Sequence, residues 1–283
     1  RTGLLFMFCL LMLCGCAQIT GFMENTEVSG REVESLAAEK EDDTVLLGGM
    51  PVGIYMETDG VLVLDTEKMT GMDGKEYTPA QGVVSSGDYI TEVNHQKIEG
   101  KKQLMDLVEH LDGEKVLLTV RRENTILEKK LTPVQISKGN YRLGIWVRDN
   151  VQGLGTITFL TKNNRFAALG HGIHDIDTST LLTIKRGTLY RTSIQKVQKG
   201  SKGNPGTMEG IIVYNRFHQL GAIEKNTDAG IYGELNSDRS WIGEEVPIQV
   251  AKKEEIKTGE ARIRCYIDGE VKEYTICITQ IDK

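Results

Sequence analysis

The stretch FAALGHGIHDIDT (residues 166–178) is the most informative part of this chain. An apolar run typical of a buried β-strand ends in a glycine-flanked turn that carries His171. An imidazole can take up and return a proton near neutral pH, and small neighbours let a reacting group approach it. The stretch therefore predicts a strand that leads directly into a candidate catalytic site.

The segments around this stretch also have the character of short strands joined by tight turns. LGIWVRD (residues 143–149) and GLGTITFL (residues 153–160) precede it, and GTLY (residues 187–190) follows it. Glycine is abundant at 31 residues, proline is scarce at 5, and β-branched residues are frequent. This composition favours a mainly β fold, and a succession of short strands is typical of an antiparallel barrel or sandwich.

Length and charge limit the class of protein further. The 283 residues are 39% hydrophobic and suit one or two modest domains. The formal net charge of -6 argues against a nucleic-acid partner, because neutralising phosphates requires clustered lysine and arginine.

The first 45 residues are interpreted as an export segment and a linker. LLFMFCLLML (residues 4–13) has the length of a signal-peptide core and is shorter than the roughly 20 residues of a membrane-spanning helix. We therefore expect a signal peptide or membrane anchor over residues 1–20, with Cys16 as the candidate lipid-bearing residue. Residues 21–45 are acidic and polar and are expected to form a linker, so the chain would associate with a membrane through its N-terminal segment.

Residues 46–135 predict a small α+β domain. Strands are expected near residues 51–56, 60–64, 89–93, 116–121 and 126–131, and helical spacing covers residues 101–111 before Gly113. PAQG (residues 79–82) and GDYITEVN (residues 87–94) resemble a bacterial PDZ domain.

The PDZ resemblance implies a groove between the helix and a strand near residues 53–56. Such a groove binds an extended peptide by adding it to a sheet edge. By position, Val52, Gly53 and Ile54 would form the loop that binds the terminal carboxylate. The alternative is that the domain only braces its neighbour.

The residues around His171 leave several interpretations open. His171 could be a general base for a serine, oriented by a carboxylate. It could bind a metal with His174, Asp175 and Asp177, although the flanking glycines argue against the helix that this spacing needs. It could also fix a turn in a binding module, or simply cap a strand. No Cys/His cluster indicates a zinc site, so neither a metal nor another cofactor is expected.

The remaining histidines and the C-terminal cysteines are expected to be structural. His95 and His218 lie in predicted turns, and His110 lies near the end of the predicted helix. Cys265 and Cys277 lie on two strand-like segments that would form a hairpin, and free thiols are the favoured interpretation over a pair.

Three blocks together resemble the peptidase domain of the stage IV sporulation protein B family: residues 143–159, residues 166–173 and residues 221–233. The resemblance implies a trypsin-like double β-barrel of the S55 serine peptidase type over residues 139–283, after the PDZ domain. It implies a sporulation endopeptidase exported to the forespore intermembrane space. Such an enzyme cleaves itself and a membrane-associated regulator of sigma-factor processing. The family's catalytic histidine matches His171.

One departure from the family pattern concerns the nucleophile. The family carries its serine in a late Gly-Met-Ser-Gly-Ser-Pro block, whereas the last serine here is Ser240, without that glycine frame. We therefore expect a C-terminally truncated peptidase domain that is inactive as this polypeptide alone. A non-catalytic PDZ peptide-binding signalling protein is the alternative, and a metalloprotease is a more distant one.

Overall fold

The computed structural model describes residues 44–267 and 269–281. The predicted export segment, Cys16 and nearly all of the predicted linker lie outside the described residues. Within them, one α-helix, α1 (Lys101–Glu109), and two short 3₁₀ helices (Arg216–His218 and Lys253–Glu255) accompany a large number of strands. The mainly β prediction is confirmed.

The strands within the described residues have the following bounds: β1 Thr44–Leu47, β2 Pro51–Thr66, β3 Met69–Thr70, β4 Glu76–Tyr77, β5 Tyr89–Val93, β6 Gln96–Lys97, β7 Val116–Arg122, β8 Thr125–Leu131, β9 Val134–Ser137, β10 Asn140–Arg142, β11 Ile145–Leu160, β12 Arg165–Ala168, β13 Ile184–Tyr190, β14 Thr192–Gln198, β15 Thr207–Ile212, β16 Gln219–Thr227, β17 Gly230–Leu235, β18 Pro247–Gln249, β19 Gly259–Ile267 and β20 Glu270–Ile278.

Six of these strands close on themselves through antiparallel pairing. β2 pairs with β11, β11 with β12, β12 with β17, β17 with β16, β16 with β13, and β13 with β2 again. Closure leaves no unpaired edge within the ring, which is the usual solution for a small antiparallel barrel. The barrel interior is apolar, and its fully buried side chains include Ile54, Met56, Ile157, Phe166 and Leu189.

The strands β2 and β11 are each 16 residues long and extend beyond the barrel. In its second half β2 pairs with β5, and the sheet continues through β7 to β8. Between Glu57 and Leu62, β2 passes five residues while β11 passes only two, from Asn150 to Arg148. This bulge is where β2 leaves the barrel sheet and enters the second sheet.

The second sheet and α1 enclose a core of their own. Its buried residues come from β2, β5, β7 and α1, with Leu104 as the buried residue of the helix. Leu143 belongs to this core, and Ile145 and Val147 pack against it, whereas Val52 and Ile54 belong to the barrel core. Both cores therefore draw on β2 and β11, and they do not divide at the predicted boundary near residues 135–139.

The strands β19 and β20 form a hairpin that pairs only within itself among the described residues. The predicted hairpin around the two cysteines is thus present, and both thiols are free. A second barrel stays a prediction. Among the described residues, no helix has the length and apolar character that a membrane crossing requires.

Candidate active site and adjoining groove

The barrel strand β12 delivers His171 to the surface. Phe166, Ala167 and Ala168 are buried in the strand, and the chain then turns through Leu169 and Gly170, which have φ angles of 75° and 92°. Positive φ is easy for glycine and costly for leucine, so the turn is held by its surroundings. The Leu169 N–H donates to the Thr156 carbonyl of β11 at 3.0 Å. The side chain of His171, which follows Gly170, is exposed.

The hydrogen bonding of His171 determines which ring nitrogen can act as a base. Its Nδ1 lies 3.0 Å from the carbonyl oxygen of Gly172. A carbonyl can only accept, so Nδ1 carries the proton and the neutral ring keeps a lone pair on Nε2. Within residues 44–267 and 269–281, no serine hydroxyl or carboxylate forms a hydrogen bond with this ring. The exposed His171 ring therefore has neither a serine nor a carboxylate partner among the described residues.

The loop that follows His171 is fixed from the β16 side. Asn226 accepts the Ile173 N–H at 2.9 Å and donates to the carbonyl oxygens of Ile173 and Leu182 at 2.8 and 3.0 Å. Gly172 donates to the Asp228 carbonyl at 3.1 Å. A Cβ on Gly172 would lie 2.6 Å from the Thr227 carbonyl oxygen, so glycine is required by this close approach of two backbones.

Asp175 and Asp177 are occupied by the loop itself and by Arg148. Asp175 is only 2% exposed, and its Oδ1 accepts the N–H groups of Asp177 and Thr178 at 3.0 and 2.9 Å. Arg148 of β11 donates to both carboxylates, reaching Asp177 at 2.8 Å. The interpretation of these two aspartates as loop formers agrees with these contacts.

His174 does not converge with its neighbours on a common point. Its Nδ1 lies 3.2 Å from the Gly172 carbonyl, and its Nε2 lies 3.8 Å from a carboxylate oxygen of the exposed Asp228. The part of the chain that the structure describes contains no group of three or more His, Cys, Asp or Glu side chains placed to hold a metal ion. The metal interpretation of residues 171–177 has no geometric support.

The other histidines occupy the local structures that the sequence predicted. His95 has a φ of 63° in the turn between β5 and β6. His110 caps the C-terminal end of α1, with its Nδ1 2.6 Å from the Asp106 carbonyl oxygen. His218 ends a 3₁₀ helix and contacts Asn215 at 2.7 Å.

The predicted carboxylate loop lies in the middle of the barrel sheet. Gly53 is paired with Leu154 of β11 on one side and with Tyr190 of β13 on the other. Val52 and Ile54 are 0% and 2% exposed. Since both edges of β2 are occupied, no edge is free at these residues for the predicted addition of a peptide.

The strand that lies beside the helix is instead the first part of β11. A groove of about 570 Å³ runs between α1 and residues 143–147, with Leu104 and Val108 on the helix side. β2 pairs with one edge of residues 145–151, and no strand among the described residues pairs with the other edge. This placement corrects the predicted position of the groove, which assigned its strand to residues 53–56.

The turn that precedes this edge contains a glycine that its backbone conformation favours and an exposed arginine. Gly144 has a φ of 69°, and a Cβ there would lie 2.9 Å from the Glu67 carbonyl oxygen. Arg142 lines the groove and is exposed, and its guanidinium forms no ion pair with any described residue. Sequence analysis assigned this segment to a peptidase strand; the glycine directly before that strand was the signal in the sequence that could have marked a turn here.

Three similarities to known proteins bear on this chain. A protein of Helicobacter pylori (strain J99) titled "Putative zinc metalloprotease" is 31% identical over 110 residues, which is 35% of this chain. The chain spans about a third, 31%, of the length of that curated relative. The PDZ domain of the SdrC-like protein from Listeria monocytogenes is 23% identical, with a TM-score of 0.26 over 31% of this chain and 87% of that one.

The third similarity covers the region of the barrel and His171. The family described as SpoIVB peptidase S55 matches residues 139–283, just over half of the chain. This range contains β12, the His171 turn, the Asn226 contacts and the C-terminal hairpin. The chain belongs to the SpoIVB peptidase S55 family.

Proposed function

We propose that the chain is the part of a serine endopeptidase that supplies the general base, and that this base is His171. The observation that carries the proposal is the state of its ring: Nδ1 lies 3.0 Å from the Gly172 carbonyl oxygen, and the exposed side chain forms no hydrogen bond through Nε2 with a described residue. In this tautomer Nε2 takes the proton of a serine hydroxyl as that oxygen attacks a peptide carbonyl. It then returns the proton to the leaving amine.

The proposal assigns the attack to a serine in a Gly-x-Ser-Gly block, which the 283 residues do not contain. The support is that no Gly-x-Ser-Gly string occurs in the chain and that no described serine contacts His171. The Asn226 clamp and the Gly172 approach fix the base in advance, which reduces the ordering cost when a substrate binds.

The test compares self-cleavage by this chain with self-cleavage by a longer product that includes the downstream reading frame. The longer product should cleave itself, and His171→Ala should abolish cleavage. His174→Ala is the matched control, because His174 lies on the same loop and faces Asp228 instead. Cleavage by the 283-residue chain alone, or by the His171→Ala variant of the longer product, would refute the proposal.

A second function is supported by the groove between α1 and β11. An extended peptide can add to the free edge of residues 145–148, with an apolar side chain against Leu104 and Val108. The Arg142 guanidinium, which forms no ion pair with a described residue, suits a terminal carboxylate. We propose that this groove binds the C-terminal end of a protein substrate.

Trp146 provides a direct readout of that binding, because it lines the groove and is 58% exposed. In a Trp241→Phe background, heptapeptides from a library with random apolar C-termini should change its fluorescence. Val108→Glu should abolish the change, and amidation of the peptide terminus should weaken it. A library in which no member alters Trp146 emission would reject this function.

The sporulation role is also part of the proposal. It rests on family membership and on the apolar N-terminal run, which fit an exported peptidase that cuts a membrane-associated regulator. Deleting residues 1–20 should move the protein from the membrane fraction to the soluble fraction of sporulating cells. It should also block processing of the regulator. Unchanged fractionation would reject the anchoring role.

A further inference from the structure

The groove and the His171 loop meet at a single arginine of β11. Residues 143–147 line the groove, and Arg148 is the next residue along the same strand. Its guanidinium leaves the strand toward the loop, where it pairs with Asp175 and Asp177. A change in the position of the strand at the groove is therefore carried directly to the loop.

Asp175 is the residue through which Arg148 acts on the loop. It is four positions after His171, and its carboxylate and backbone together make four hydrogen bonds within residues 175–180. A carboxylate that is only 2% exposed is costly to bury unless a charged partner and hydrogen bonds offset the loss of water. Arg148 supplies that charge, so the order of the loop depends on where β11 places it.

The helix α1, which forms the other side of the groove, is hydrogen-bonded to the residue of β11 that follows Arg148. The carboxylate of Asp149 accepts the N–H of Lys101, the first residue of α1, at 2.7 Å. Glu99, two residues before the first residue of the helix, pairs with Lys185 of the barrel strand β13 at 3.2 Å. The helix side of the groove is therefore bonded to β11 at Asp149, next to Arg148. We expect a peptide that moves α1 relative to β11 to change the geometry of the ion pairs that Arg148 forms with Asp175 and Asp177.

We propose that Arg148 is a positioning residue that couples the peptide groove to the catalytic base. A peptide bound along residues 145–148 fixes Arg148, and Arg148 fixes Asp175 and with it the position of His171. This inference rests on the proposed functions of the groove and of His171. It adds that the two sites share a coupling free energy, so peptide binding changes the efficiency of the base.

The experiment follows the imidazole resonances of His171 by NMR in the histidine-labelled chain while a heptapeptide selected with Trp146 is added. His171→Asn identifies the resonance. In the wild type, peptide should shift the His171 signal. In Arg148→Ala the shift should be lost although Trp146 still reports binding, and Arg148→Lys should restore part of it.

Arg122→Ala is the matched control. Arg122 also pairs with a buried aspartate, Asp88, at 2.7 Å, but it lies on β7 and donates only to Ser85 and Asp88 among the described residues. It should lose comparable thermal stability and keep the His171 shift. In the longer, serine-containing product, peptide should change kcat for a reporter substrate about 5-fold or more, and Arg148→Ala should remove that change.

The outcomes separate this inference from the functions on which it rests. Peptide binding with no His171 shift in the wild type, or with an undiminished shift in Arg148→Ala, would overturn the coupling alone. Absence of any Trp146 response would overturn the groove function and the coupling together. If Arg148→Ala does not fold, Arg148→Lys with the Arg122→Lys control decides the question by the same two signals.

Discussion

The side-chain amide of Asn226 holds the main chain of Ile173 at both its N–H and its carbonyl, at 2.9 and 2.8 Å. A single residue of β16 therefore replaces a strand partner for the loop that begins at His171. The loop keeps a fixed conformation without belonging to the sheet. The predictions below test how the fold maintains that conformation.

Replacing Asn226 with alanine should release the loop. The change removes the partner of the Ile173 N–H and of the Leu182 carbonyl, at about 1–3 kcal/mol for each group that water cannot reach, while the Ile173 carbonyl still accepts the Leu182 N–H at 3.1 Å. Hydrogen exchange of residues 172–182 should accelerate while exchange in β12 stays slow. Asn236→Ala, which removes one exposed side-chain bond to Gln219, is the control and should leave the loop unchanged. Equal exchange in the two variants would contradict the clamp.

The two glycines beside His171 should respond differently to alanine. Gly170 has a φ of 92° but open space around its Cβ position, so Gly170→Ala should cost about 1–2 kcal/mol of backbone strain. Gly172→Ala places a Cβ 2.6 Å from the backbone oxygen of Thr227 and should cost more and displace the loop. Unfolding free energies measured by urea titration give the comparison, and the reverse order would be inconsistent with the backbone approach.

The surface ion pair between Arg165 of β12 and Glu224 of β16 should make the stability of the fold depend on pH in one direction. Arg165 donates to Glu224 at 2.6 Å and holds the pKa of that carboxyl below its ordinary value of 4.5. A carboxyl with a lowered folded pKa adds stability above its unfolded pKa, and that stability is lost as the pH falls through the lowered value. Glu224→Gln should therefore lower Tm slightly at pH 7 and leave it unchanged at strongly acid pH.

The control for this measurement is Glu114→Gln, because Glu114 is exposed and has no ion pair among the described residues. Its Tm should match that of the wild type across the same pH range. The effect of Glu224→Gln should be modest, since both partners of the pair are about two-fifths exposed and solvent screens them. A Tm difference that grows toward acid pH would show that the pair is not the cause.

The two C-terminal cysteines should remain separate thiols. Cys265 lies opposite Lys272 and Cys277 opposite Glu260, so the two are offset by five residues along the hairpin, or about 17 Å. A disulfide needs Cα atoms within about 7 Å. Alkylation followed by peptide mapping should label both after mild oxidation. A disulfide-linked peptide pair from a monomeric sample would show that the hairpin register is different.

Local patterns predicted the elements that depend on their own sequence. The predicted strand over residues 89–93 is β5, the helix expected over residues 101–111 is α1, and the expected strand ending at His171 is β12. In each case the apolar spacing and the turn residues act within about ten positions, which is the range where such patterns are informative.

The missed features depend on contacts between distant residues. The sequence predicts two separate strands near residues 51–56 and 60–64, but β2 is continuous there and contains Gly60 at a φ of 92°. Its place is set by the Ile90 carbonyl oxygen, which a Cβ would approach to 2.8 Å. The groove was misplaced for the same reason, because only the pairing of β2 with β11 shows which edge is free. Arg148 was not singled out, since Asp175 lies 27 residues away.

The double use of β2 and β11 has a consequence for genetic dissection of the molecule. Removing residues 46–135 as an independent domain would delete β2, one of the six strands of the barrel that carries His171. Cutting the chain at residue 139 would likewise strip the smaller sheet of the strand that forms its groove. The phenotype of such a truncation would reflect loss of structure in both the barrel and the smaller sheet. Point substitutions are therefore needed to assign a role to one of them.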